Sequence, residues 1–199
     1  MTKVLLATIY THYSIIAMSN GYSINEVILL VDQEPNETMQ KNIQLVDDTL
    51  GTIMKIKKVP TDLYNIVDIA TKSVEIIDSI PEKDQLYIDI TAGRKPKSLG
   101  LLFAAYARAK RITKICYVTE DTKQIIKLPK MNYAINTTQK ELLEIIAKDK
   151  DITALQIAEK LNITKGIVYR YIKELIEFDA LEKDGETMML SDFGKILVL

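Results

Sequence analysis

Short aliphatic and β-branched runs alternate with amphipathic segments up to about residue 132, and no other feature limits the fold of this chain so tightly. The runs are Val4 to Tyr10, Glu26 to Val31, Thr52 to Val59, Leu86 to Ile90, Ile112 to Val118 and Gln124 to Leu128. Each is short enough for a strand. The stretch Val27-Ile28-Leu29-Leu30-Val31 is apolar without a break, as a strand covered on both faces must be. Between the runs, apolar residues recur at helical spacing; Leu63, Ile66, Val67, Ala70, Val74 and Ile77 mark one such face. Strands separated by helices require right-handed crossovers and a mostly parallel sheet. The expectation is therefore α/β: a Rossmann-like sheet of six strands, the last joined by a hairpin through Glu120-Asp121-Thr122.

From Thr137 the periodicity becomes helical throughout, then ends in a hairpin. Thr137 or Thr138 is placed to cap a helix running to about Lys148, and Thr153 to cap a shorter one over Ala154 to Leu161. Asn162-Ile163 forms a tight turn, and Thr164 caps a third helix reaching Phe178. Asp184-Gly185 separates two short strands and is a strong hairpin signal; Ser191 starts a last helical segment. Helix, helix-turn-helix and hairpin make the plan of a winged helix-turn-helix. The expected domains are residues 1–132 and 137–199, joined through 133–136.

A single cysteine, Cys116, excludes an intrachain disulfide and a cysteine-based zinc site, and fits a reducing compartment. His12 is the only histidine, so no metal ligand set is expected. No run approaches the length of a membrane span and no leader layout is visible, so the expectation is a cytoplasmic chain with no membrane partner. The 26 basic and 27 acidic residues cancel almost completely, but unevenly along the chain. Residues 1–136 carry 17 Lys+Arg against 15 Asp+Glu, and residues 137–199 carry 9 against 12.

In an open parallel sheet ligands sit beyond the carboxyl ends of the strands, where the strand order reverses. For the order 3-2-1-4-5-6 that crevice lies between the loops after the first and fourth strands. The first loop holds Thr8, Tyr10, Thr11, His12 and Tyr13; the second reads Asp89-Ile90-Thr91-Ala92-Gly93-Arg94-Lys95-Pro96-Lys97-Ser98. Gly93 permits a turn that other residues resist, and Pro96 suits a helix start. Arg94, Lys95 and Lys97 then cluster at the positive end of that helix, where an anion is favoured. The competing reading is a plain strand-to-helix turn with solvated cations. Neither the dinucleotide glycine fingerprint nor a phosphate-loop sequence is present, which disfavours a dinucleotide and excludes a P-loop ATPase.

The segment from Asp89 to Lys95, set between a buried strand and an apolar helix, resembles the strand-four motif of CRISPR-associated Rossmann-fold (CARF) domains, and a winged helix-turn-helix behind such a domain recurs in that family. One departure is Ala92-Gly93 where many members carry two glycines. The resemblance implies a homodimer whose two CARF domains share a pocket for a cyclic oligoadenylate, the tetra- or hexa-adenylate, with no cofactor. Thr8, Tyr10, Thr11 and His12 carry over as ligand-binding residues, with Thr91, Ala92, Gly93, Arg94 and Lys95; Lys97 joins them on charge. Cations and backbone N–H groups suit the phosphates, and Tyr10 or Tyr13 suits a base. Some members are ring nucleases that cleave the messenger by attack of a ribose 2′-OH; here Thr11 would position the sugar and Lys95 or Arg94 would stabilise the charge. His12 is open to two readings, general base or hydrogen-bond donor.

The third helix of the winged module offers Thr164, Lys165, Tyr169, Arg170 and Lys173 to double-stranded DNA, with Ile167, Val168, Ile172 and Leu175 turned inward. The acidic surplus of the module, including Glu182, Asp184 and Glu186 on the wing, opposes a phosphate backbone. Three readings stand: a ligand-sensing transcription regulator, a ring nuclease whose winged helix is structural, and a winged-helix repressor with an unrelated effector.

Overall fold

The computed structural model describes residues 1–199 except 132–134, 150, 186, 192, 193, 195, 196 and 199. The chain divides into two compact units, Met1–Leu128 and Pro129–Leu199.

The first unit runs β1 (Lys3–Thr8), α1 (Tyr13–Tyr22), β2 (Glu26–Asp32), α2 (Glu37–Leu50), β3 (Lys55–Thr61), α3 (Ile66–Ser79), β4 (Gln85–Asp89), α4 (Lys95–Ala107), β5 (Lys114–Val118) and β6 (Ile125–Leu128). The strands form one sheet in the order β3-β2-β1-β4-β5-β6, parallel except for the β5–β6 hairpin. Alternation along each strand divides the core. Val4 and Leu6 of β1 pack with Ile28 and Leu30 toward Ile69, Ile77 and Leu101, the layer of α3 and α4. Leu5 and Ala7 turn the other way, with Val27 and Leu29, toward Ile15, Met18 and Val46 of α1 and α2. Each of these Val, Leu, Ile and Met side chains contributes about 1.5–3 kcal/mol when fully buried. The β3 edge is blunted by the exposed Lys55, Lys57 and Lys58 and by Pro60, which keeps the sheet from pairing further.

β3 starts at Lys55 rather than Thr52, because Gly51 and Thr52 belong to the turn leaving α2. β1 likewise ends at Thr8, short of Tyr10, and β5 starts at Lys114, because Ile112 closes a short 3-10 turn; the order of the six strands is the expected one, and the fold is α/β and Rossmann-like.

The second unit runs α5 (Thr137–Lys148), α6 (Ala154–Leu161), α7 (Lys165–Glu177), β7 (Leu181–Asp184) and β8 (Thr187–Leu190). Leu142, Leu143, Ile146, Ile157, Val168, Ile172 and Leu175 form its core. The cap of α5 is Asn136, not Thr137 or Thr138: its side chain accepts from Gln139 N–H at 2.9 Å while Gln139 Oε1 accepts from Asn136 N–H at 2.9 Å. That reciprocal pair satisfies two helix-end donors at once. Thr153 and Thr164 cap α6 and α7, and Asn162 takes the left-handed conformation at φ 51° in the turn between them. Gly185, at φ 61°, turns the β7–β8 hairpin. Residues 133 and 134 of the expected joint, Glu186 of the wing, and most of the helical segment expected after Ser191 lie outside the described residues.

Candidate functional site

The strand order reverses between β1 and β4, whose neighbours lie on opposite sides. Beyond their carboxyl ends is a hollow of about 350 Å³ lined by Tyr10, Thr11, Tyr13, Thr91, Ala92, Gly93 and Glu120. Its floor is tied across the two strands. Thr8, fully buried, donates its hydroxyl to the carbonyl of Ala92, and Ser98 Oγ donates to the same carbonyl at 3.1 Å. Gly93 adopts φ 98°, and a Cβ there would stand 3.0 Å from Thr8 Cβ. Only glycine meets both demands.

Beneath the floor, Asp89 ends β4 fully buried. Its Oδ1 accepts from Thr91 N–H at 2.9 Å and from the Thr91 hydroxyl, while Thr91 Oγ1 accepts from Val118 N–H at 2.8 Å. Asp89 Oδ2 and Ser14 Oγ are buried as well, and the Ser14 hydroxyl, like Thr91, favours the ionised carboxylate. Burial pushes the Asp89 carboxyl up from its ordinary value, against the hydrogen bonds from Thr91.

Arg94 caps α4 and Lys95 opens it; both are exposed and hold no ion pair among the described residues. Two free cations therefore stand at the positive end of a 13-residue helix. Lys97 differs from the expectation that grouped it with them. It is fully buried, and its ammonium is bound to Asp32 at the end of β2. Burial lowers the Lys97 pKa, with Asp32 opposing the shift. Lys97 is thus a strut between α4 and β2, its charge met by Asp32 inside the fold.

His12 precedes α1 and is held by α2. Asn42 Nδ2 donates to Thr38 O at 2.9 Å, so Asn42 Oδ1 faces His12 and accepts from its backbone N–H at 3.2 Å and from Nδ1 at 2.7 Å. Nδ1 is therefore the donor in this contact, and Nε2 is the ring nitrogen that Asn42 leaves unused.

Sequence reasoning did not assign Glu120, Lys123 or Asn42. Glu120 lines the hollow, and Lys123 Nζ lies 3.8 Å from the Tyr13 ring centroid while donating to Glu120 O at 2.6 Å. Burial raises the Tyr13 pKa first, with Glu120 adding to it. The hollow is thus lined by the hydroxyl-bearing Tyr10, Thr11 and Tyr13 and by one carboxylate, Glu120, while the Thr91 hydroxyl is spent on Asp89 and Val118 and the exposed Arg94 and Lys95 follow Gly93 outside the lining. Among the described residues no cluster of three or more metal-binding side chains occurs, and no helix is long and apolar enough to cross a membrane.

In the second unit, Thr164, Lys165, Tyr169, Arg170 and Lys173 are all exposed on α7, as expected of one face. Thr164 Oγ1 accepts from Ile167 N–H at 3.4 Å and so serves the helix end. Lys165 Nζ lies 5.8 Å from the Tyr169 ring centroid.

Comparison with known proteins follows this division. The family model described as HFX_2341_N:-like, N-terminal matches residues 7–123, and a winged helix-turn-helix DNA-binding model matches residues 135–177. No curated protein matches the sequence. Can2 from Sulfobacillus thermosulfidooxidans, solved in complex with cyclic tetra-adenylate, aligns with a TM-score of 0.52 at 13% identity, over 98% of this chain and 63% of that one. Enterococcus italicus Csm6, bound to cyclic hexa-2′-fluoro-hexa-dAMP, aligns with a TM-score of 0.54 at 11% identity, over 88% and 55%. VC1899 from Vibrio cholerae aligns with a TM-score of 0.53 at 10% identity, over 98% and 64%. This chain thus spans less than two thirds of each. At such identity the likeness is one of fold, and it agrees with the expected Rossmann-like fold, as the second family model agrees with the expected winged helix-turn-helix. Because the first model covers more than half of the sequence, the chain belongs to the HFX_2341_N:-like, N-terminal family, with a winged helix-turn-helix module behind that domain.

Proposed function

We propose that the chain is a homodimeric sensor: its first unit binds a cyclic oligoadenylate at the β1/β4 hollow, and its winged helix regulates transcription on double-stranded DNA. The observation that carries this reading is the junction of Thr8 and Gly93, followed directly in the chain by Arg94 and Lys95, two exposed cations with no ion pair among the described residues. A small ring of phosphates and ribose hydroxyls matches that set of donors. The fold shared with Can2, solved with cyclic tetra-adenylate, and with Csm6, solved with a cyclic hexanucleotide, supports the same ligand class. A second copy completes the site, and Leu99 and Phe103, exposed one turn apart on α4, give it an apolar face. Ligand and operator are linked through one equilibrium: a ligand that favours one state of the dimer changes its affinity for DNA.

A second reading rests on the oriented His12. With Nδ1 given to Asn42, Nε2 is available to take a proton from a ribose 2′-OH. The 2′-oxygen then bonds to the adjacent phosphorus, the 5′-oxygen leaves with a proton, and a linear product ends in a 2′,3′-cyclic phosphate. Lys95 would hold the developing charge and Thr11 the sugar.

The test is incubation with cyclic tetra- and hexa-adenylate, followed by calorimetry and chromatography. The sensor binds one ring and returns it intact. Linear products abolished by Lys95→Ala establish the nuclease instead. Absence of binding to either ring overturns both. Phe103→Glu should yield a monomer in sedimentation and lose the ligand with it.

A further inference from the structure

We propose that α7 reads guanine through Arg170, which is braced by Glu174 and Gln139 and stands beside a gap in the helix surface left by Gly166. The inference rests on the winged helix binding double-stranded DNA and names the base it selects.

Val168, Ile172 and Leu175 define the buried side of α7, and helical spacing puts Arg170 and Gly166 together on the opposite side, one turn apart. The brace behind Arg170 starts in the core. Gln139 is 3% exposed; its Oε1 accepts from Asn136 N–H in the α5 capping box, which fixes its amide, and its Nε2 donates to Glu174 Oε2 at 2.6 Å. The other Glu174 oxygen, Oε1, lies 3.8 Å from Arg170 Nε, and the Arg170 guanidinium carbon lies 5.2 Å from the Tyr171 ring centroid. The Nε side of the guanidinium thus faces Glu174 as an ion pair, at a separation too long for a hydrogen bond. The two Nη groups hold no partner among the described residues, and theirs is the fork that matches O6 and N7 of guanine.

Gly166 has no structural reason to be glycine. Its φ is not positive, and a Cβ placed there meets only Thr164 Oγ1 at 4.0 Å. Alanine would fit and would favour the helix. Helical side chains lean toward the N-terminus, so the Arg170 side chain covers the turn that carries Gly166. Leaving that turn bare lets a base-pair edge approach the backbone while Arg170 reaches across it. Lys165, Tyr169 and Lys173 flank the pair and suit phosphates.

The test is selection of bound sequences from a randomised duplex pool by the full chain, with and without cyclic tetra-adenylate. Wild type should enrich guanine at one fixed position of each half-site. Arg170→Ala and Arg170→Lys should each lower that preference by about tenfold. Glu174→Gln should reduce it at the same position without weakening retention of unselected duplex. Gly166→Ala should raise the melting temperature yet weaken binding to the selected duplex by about tenfold. A guanine preference unchanged in Arg170→Ala, or equal binding by Gly166→Ala, overturns the inference while the DNA reading stands. Failure of wild type to retain any duplex overturns the DNA reading itself, and this inference falls with it.

Discussion

The Thr8 hydroxyl donates to the carbonyl of Ala92, so the last residue of β1 holds the loop that follows β4, 84 positions later in the chain. Gly93 then folds over Thr8 with φ 98°. Two substitutions separate tie from shape. Thr8→Val removes the hydroxyl and should cost about 0.5–1.5 kcal/mol, because Ser98 still donates to Ala92 O. Gly93→Ala adds a Cβ 3.0 Å from Thr8 and should cost about 1–3 kcal/mol. Denaturant unfolding measures both, and Gly93→Ala should show the larger loss of ligand affinity.

Arg94 and Lys95 carry charge that nothing else in the first unit uses. Arg94→Ala and Lys95→Ala should each weaken binding of a cyclic oligoadenylate by about 1–3 kcal/mol with little change in stability. Calorimetry at low and high salt checks the origin of the effect. A loss that does not shrink as salt is raised would argue against a phosphate contact.

Lys97 should behave in the opposite way. Lys97→Met leaves Asp32 charged in a nearly closed site and should destabilise the fold by about 3–5 kcal/mol. The double variant Lys97→Met, Asp32→Asn should recover most of that, since neither charge is then stranded. Thermal unfolding of the three proteins decides it. A Lys97→Met variant as stable as wild type, but unable to bind ligand, would restore Lys97 to the ligand site.

Asp89 predicts a dependence on pH. Its folded-state pKa is raised by burial, so the folded chain holds the proton more tightly than the unfolded chain, whose carboxyl titrates in the ordinary carboxylate range. The contribution from that proton is complete below the unfolded value and is lost as pH rises through the folded one. Tyr13 and Cys116, the titratable groups facing it from α1 and β5, are both raised with Asp89 among the causes. Asp89→Asn keeps the acceptor for Thr91 and removes the charge. It should melt higher than wild type at mildly alkaline pH, with the advantage fading as pH approaches the unfolded value.

Strand order and the switch point were legible because burial on both faces leaves uninterrupted apolar runs such as Val27 to Val31. The two loops followed directly, as strand ends in a known order. Lys97 was misplaced because its three-residue spacing from Arg94 gives charge but not direction; Asp32, 65 positions earlier, buries it. Asn136 was missed as the α5 cap because Thr137 and Thr138 are comparable cap formers beside it, and only the Gln139 contact separates them. Glu120 and Lys123 escaped notice because the antiparallel return of β6 brings their turn against Tyr13, a contact no local pattern encodes.

That turn has a consequence for how the ligand preference of such chains diversifies. Glu120 of the wall, and Lys123 packed on Tyr13, belong to the β5–β6 hairpin at the margin of the sheet, whereas the floor is fixed by central strands. Exchanges or insertions between Thr119 and Gln124 would leave the β1–β4 register intact. Selection can therefore recast one side of the hollow while the side built on Thr8 and Gly93 stays as it is.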